Sequence, residues 1–162
     1  MTIPEKRLTV NGMGKITVSI KLRNRLTDLC KIKDAVAEVV SSATCTKRKF
    51  KEIDLVLEEL FSNVVQHGFI DDREHEIQLT LYCENDMLII RMEDDGRPFN
   101  IMEAKPTETR CPIEKRCIGG LGIQFVKHFT DHCEYHRENN RNIVILKKKI
   151  TEDVRPEPVS DR

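Results

Sequence analysis

Residues 51–67 read KEIDLVLEELFSNVVQH, and Gly68 follows them. Its apolar positions include Ile53, Val56, Leu57, Leu60, Phe61, Val64 and Val65. Counted from the first, they fall at i, i+3, i+4, i+7, i+8, i+11 and i+12, the repeat of one continuous buried stripe on a helix. The spacing predicts a helix over 51–67 that the glycine stops.

The neighbouring segments supply a sheet for that stripe to cover. On the amino-terminal side, Ile16, Val18 and Ile20 alternate and predict a strand over 15–20. Leu26, Leu29, Ile32, Val36 and Val40 then recur at mostly helical spacing and predict a helix over 23–40. On the carboxyl side, Ile77, Leu79, Leu81 and Cys83 alternate, Glu84-Asn85-Asp86 makes a turn, and Leu88, Ile90 and Met92 alternate again. A third helix is expected over 122–131, followed by a hairpin of 134–138 and 142–149 around Asn139-Asn140. The order β-α-α-β-β-loop-α-β-β predicts an α+β fold, a two-layer sandwich with helices on one face of a mixed, largely antiparallel sheet. Residues 1–150 are expected to form one domain, and 151–162 a polar tail.

Composition narrows the function classes. Acidic and basic residues balance at 27 each, so there is no electrostatic case for nucleic acid or an anionic membrane as a partner. The amino-terminal MTIPEKRLTV carries no signal-peptide pattern, and no segment approaches the roughly 20 apolar residues of a membrane span. A cytoplasmic location is expected. The six cysteines, Cys30, Cys45, Cys83, Cys111, Cys117 and Cys133, form no C-x-x-C pair and read as free thiols.

Three polar clusters exceed what the fold requires. Glu59 and Asn63 stand four apart on the central helix, on a face read as opposite the apolar stripe, and His67 continues it one turn later. An amide oxygen there suits Mg²⁺, and a carboxylate can deprotonate an attacking hydroxyl. Asp94-Asp95-Gly96 closes a strand; an aspartate there can accept from an exocyclic amine, and Gly96 would let a flat ring approach the backbone. Gly119-Gly120-Leu121-Gly122 opens a helix, where free N–H groups can hold phosphate. Each cluster also has a plain reading of its own: a solvated helix face, an Asp-Gly turn, a hinge. Between the second and third lies an aperiodic stretch over 97–118, long enough to predict a lid that includes Arg110 and Arg116.

The three clusters in this order carry a resemblance. EELFSNVVQHGF is similar to the N box of the GHKL ATPases, MEDDGRPFN to their first glycine box, and GGLGIQFVKHFTDHCEYHRENNRNIVILKKK to the second box and closing hairpin of the anti-sigma-factor serine/threonine kinases, the RsbW and SpoIIAB type. The resemblance spans roughly residues 10–150 and implies the Bergerat, or GHKL, ATP-binding fold with ATP and Mg²⁺ as cofactors. It implies Glu59 as catalytic base and Asn63 as the Mg²⁺ ligand. Asp94, with Gly96 beside it, matches the adenine reader. Gly120, Leu121 and Gly122 fall near the phosphates, and His67 lines the site. The partners it implies are an anti-sigma-factor antagonist protein and a sigma factor, with the chain as a homodimer.

Arg97-Pro98-Phe99 replaces the Gly-x-Gly tail of the superfamily's histidine kinases, and their phospho-accepting helical domain is not expected within these residues. Both points argue against a sensor kinase. The competing reading is a nucleotide-binding module that sequesters a partner without phosphoryl transfer; Glu59 favours the enzyme, because a pure binder has no use for a base.

Overall fold

The structure is a computed structural model that describes residues 5–10, 15–41, 43–103 and 120–151. The elements in chain order are β1 (Lys6–Val10), β2 (Ile16–Arg23), a single 3-10 turn (Leu26–Asp28), α1 (Leu29–Ser41), α2 (Lys47–His67), β3 (Glu76–Glu84), β4 (Met87–Asp94), α3 (Gly120–Phe129), β5 (His132–Glu138) and β6 (Arg141–Lys149). The six strands form one open sheet in the order β1-β2-β3-β4-β6-β5. Every pairing is antiparallel, so among the described residues the sheet is not mixed.

Strand alternation sorts the two faces. Val18, Ile20 and Leu22 of β2, Ile77, Leu79 and Leu81 of β3, Leu88, Ile90 and Met92 of β4, and Val144 and Leu146 of β6 are buried in one cluster with the helices. From α1 that cluster takes Ile32, Val36 and Val39; from α2 it takes Ile53, Val56, Leu57, Leu60 and Phe61. Truncating the fully buried Phe61 to alanine would cost about 3–5 kcal/mol in lost burial and cavity formation.

Differences from the sequence-based expectation are one additional strand and shifted element ends. Strand β1 goes unpredicted because all five of its residues are exposed, so no apolar period marks it. Helix α1 begins later than expected: β2 runs on to Arg23, and the backbone N–H of Arg23 donates to Asp28 Oδ2 at 2.9 Å, which turns the chain between them. Helix α2 begins four residues before the apolar stripe suggests. Thr46 is its N-cap, with a side-chain oxygen that accepts from the N–H of Lys49 at 3.2 Å.

One buried cation ties the layers together. Lys148 of β6 points inward, and its Nζ lies 2.6 Å from Glu52 Oε2 of α2 and donates to the Phe129 carbonyl at 2.6 Å. A cation at the last turn of α3 is favoured by the helix dipole, and the carboxylate neutralises it. The end of α3 is thereby held to α2, while its start lies beside Glu59.

Candidate functional site

The carboxyl half of α2, the end of β4 with residues 97–101, the first turn of α3 and the start of β6 enclose a cavity of about 520 Å³. Leu60, Asn63, Val64 and His67 form its α2 wall, at helical spacing i, i+3, i+4 and i+7. Asn63 and His67 therefore stand beside the apolar stripe and share a wall with it, rather than opposite it as the periodicity alone suggested. The reason is α3, which gives α2 a second packing partner. Val144, Ile101, Ile123, Pro98 and Phe99 supply further apolar surface, and Asp94, Arg97 and Asn142 the polar groups. An apolar slot with a few convergent polar groups fits a flat heterocycle with one polar edge.

Asp94 is the buried charge of the slot. Its Oδ1 accepts from the backbone N–H of Gly96 and from Asn142 Nδ2, both at 2.8 Å. Among the described residues both bonds fall on that one oxygen. Burial pushes the Asp94 carboxyl above the ordinary aspartate range; the bonds from Asn142 and Gly96 oppose the rise, and the charge of Asp95 adds to it. A carboxylate in this condition is stabilised by any further donor that reaches it.

Asn142 went unnoticed in the sequence, yet it is the hub of the site. It pairs with Asp94 across β4 and β6. Its Nδ2 also donates to the Arg97 carbonyl at 2.9 Å, and its Oδ1 accepts from Tyr135 Oη at 2.9 Å and Arg137 Nη1 at 2.7 Å. Both donor hydrogens and both acceptor positions of the amide are in use, which fixes its orientation. Arg137 Nη1 reaches on to the Gly96 carbonyl at 3.1 Å. The available signal was a polar residue, Asn142, directly preceding the apolar run Ile143–Leu146; a hub role is not readable from that alone.

The other candidate residues are placed as follows. Glu59 is half-buried and faces the start of α3: a Cβ built on Gly122 would fall on its Oε2. Glycine at 122 is what lets the carboxylate and the helix occupy neighbouring space. Gly120 is the first residue of α3, with Leu121 next. Gly96 does not line the cavity. A Cβ there would come 2.6 Å from the Gly68 carbonyl, so its smallness serves the close approach of the β4 end to the end of α2. The N–H of Arg97 donates to that same carbonyl at 2.7 Å, and Arg97 Nη2 donates to the His67 carbonyl at 2.6 Å, capping the last turn of α2. Gly119, Cys111, Cys117, Arg110, Arg116 and the expected lid beyond residue 103 lie outside the described residues.

With the geometry in view, known proteins supply the comparison. The histidine kinase-like ATPase domain matches residues 22–148. The serine-protein kinase RsbW of Listeria innocua is 23% identical over 137 residues, covering 82% of this chain and 86% of that protein. An anti-sigma F factor of a Geobacillus species is 29% identical over 119 residues, covering 72% and 80%. The crystal structure of the RsbU and RsbW domains of Rv1364c from Mycobacterium tuberculosis superposes with a TM-score of 0.58 at 11% identity, over 86% of this chain and 34% of that one. No helix among the described residues is long and apolar enough to cross a membrane. The segment matched takes in every element from the end of β2 to β6, and the chain belongs to the histidine kinase-like ATPase domain family.

Proposed function

We propose that the chain is an ATP-dependent serine/threonine-protein kinase of a partner-switching pair, which phosphorylates a small anti-sigma-factor antagonist and restrains a sigma factor. The observation that carries this reading is the placement of Glu59. A carboxylate stands one helical turn before the cavity residue Asn63 and against the glycine start of α3, away from the slot that suits a base and where an incoming hydroxyl would arrive. The names of the similar proteins support the same reading.

In this reading Asp94 accepts the adenine amine through the oxygen that Gly96 and Asn142 leave open, and Leu60, Val64, Ile101 and Ile123 sandwich the ring. The N–H groups at the start of α3, beginning at Gly120, face the phosphates with the positive end of the helix dipole. Asn63 supplies an amide oxygen to Mg²⁺, which when bound neutralises phosphate charge; the donor set fits, because this ion takes few protein ligands and completes its shell with water and phosphate. Glu59 withdraws the proton from the serine or threonine hydroxyl as that oxygen bonds to the γ-phosphorus and the bond to the β-phosphate oxygen breaks, releasing ADP.

The test is radiolabel transfer beside nucleotide titration, with a candidate antagonist as acceptor. Glu59→Ala should lower transfer by about 100- to 10,000-fold while ATP affinity stays within several-fold of wild type. Asn63→Ala should weaken both. A wild-type protein that binds ATP and antagonist yet transfers nothing would leave the sequestering module in place of the kinase.

A further inference from the structure

We propose that His75, outside the cavity, is a positioning residue for the nucleotide pocket: its imidazolium ties the segment after α2 to the turn that carries Asp94. The inference rests on the nucleotide reading above. Residues 68–75 lead from α2 to β3, and within them the Phe69 ring stacks on His75 with centroids 4.1 Å apart and planes at 18°. His75 Nε2 lies 2.6 Å from Asp71 Oδ1, and Nδ1 lies 3.1 Å from Asp95 Oδ1. The backbone holds the ring in register: the N–H of His75 donates to Asn24 Oδ1 at 3.0 Å, and its carbonyl accepts from the N–H of Asn24 at 3.3 Å.

A neutral imidazole owns one N–H, and an ionised carboxylate only accepts. Two ring nitrogens on two carboxylates therefore need the doubly protonated ring. The surrounding charges agree. On its own segment Asp71 faces it, itself held by Arg73 at 2.9 and 2.7 Å; from the end of β4 comes Asp95; at the end of β2, Arg23 is occupied by Glu74 at 2.8 Å. The bond to Asp71, then that to Asp95, raises His75 above the usual histidine range, against its partial burial.

Asp95 adjoins Asp94, and its charge is one of the causes that push the Asp94 carboxyl up. The imidazolium offsets that charge. It also anchors the 94–96 turn to the segment whose Gly68 carbonyl receives the N–H of Arg97. Loss of the proton removes one of the two donors and releases the anchor.

The experiment is calorimetric titration of Mg-ADP from about pH 6 to about pH 9 on wild type, His75→Gln and His75→Arg. The ligand's own ionisation is common to all three, so differences between profiles belong to the side chain. Wild-type affinity should fall about three- to tenfold relative to the variants as pH rises, the loss of one hydrogen bond at the pocket edge. His75→Gln should bind at the weak level throughout, and His75→Arg, which stays charged, should hold the tight level to high pH. The His75 ring resonance should titrate at lower pH in Asp95→Asn than in wild type. Coincident wild-type and His75→Gln profiles overturn the positioning role alone. A wild-type protein that binds no adenine nucleotide at any pH overturns the nucleotide reading and this role with it.

Discussion

Two aspartates are almost equally buried in this protein and are treated in opposite ways. Asp28, at 2% exposure, sits where β2 turns into α1; Asp94, at 4%, sits at the wall of the cavity. Asp28 is bonded through both oxygens: the Arg23 N–H and Lys31 Nζ donate to Oδ2 at 2.9 and 3.2 Å, and Arg25 Nε to Oδ1 at 2.9 Å. Burial alone would raise its carboxyl, but those donors, two of them cationic, hold it below the ordinary range. Among the described residues Asp94 receives neutral donors on one oxygen only, and burial wins. The difference separates a charge whose partners complete a corner of the fold from one that, on the proposed reading, keeps an oxygen for a ligand. On that reading the shortfall in partners, rather than burial, marks the functional carboxylate.

The comparison breaks most visibly at Asp28. Asp28→Ala should lower stability in urea denaturation by about 2–3 kcal/mol, because charge-assisted bonds are lost at a buried corner, and should leave nucleotide affinity unchanged. A loss of affinity with no loss of stability would reverse the assignment. Asp94→Asn should do the opposite. Stability should stay within about 1 kcal/mol of wild type, since an under-compensated buried charge is removed, while adenine-nucleotide affinity falls about 10- to 100-fold in calorimetry.

Acidification sharpens the same contrast by the smallest effect. The folded carboxyl of Asp28 lies below its unfolded value, so its contribution to stability is complete above the unfolded value and disappears only as pH falls through the folded one. Asp94 is shifted the other way. It takes up a proton earlier on the way down, and the cost of its buried charge vanishes with it. Nucleotide affinity should therefore decline at a pH where Asp28 is still ionised and the fold intact. A pH series of binding and thermal unfolding should show two separate transitions, binding first; a single joint transition would mean that Asp94 is not the group that reads the ligand.

What the sequence revealed follows from where each signal resides. The stripe from Ile53 to Phe61 and the alternation in β3 and β4 are local patterns with one buried face, and both were legible. Strand β1 was not, because an edge strand exposed on both faces has no period to read. Glu59, Asn63 and Asp94 were legible as spaced motifs. Their geometry was not: that Asn63 shares a wall with Leu60, or that Glu59 abuts Gly122, depends on where α3 packs. Asn142 acquires its role from cross-strand register with Asp94, 48 residues away, and no local pattern encodes such a pairing.

The hairpin joining β5 to β6 has a consequence for how the pocket is built in time. Asn139 and Asn140 both adopt positive φ, 49° and 62°, the pair of conformations that a tight two-residue turn demands and that asparagine tolerates. That turn brings Tyr135 and Arg137 to Asn142 across separations of only seven and five residues. Hairpins of this kind close in about 1–10 μs, whereas contacts between distant segments must wait for slower loop closure. Two of the four bonds to Asn142 can thus assemble as a local event, ready-oriented, before β4 delivers Asp94 to it. Conservative changes at Tyr135 should then slow folding more than changes at Asp94, which should act mainly on the rate of unfolding.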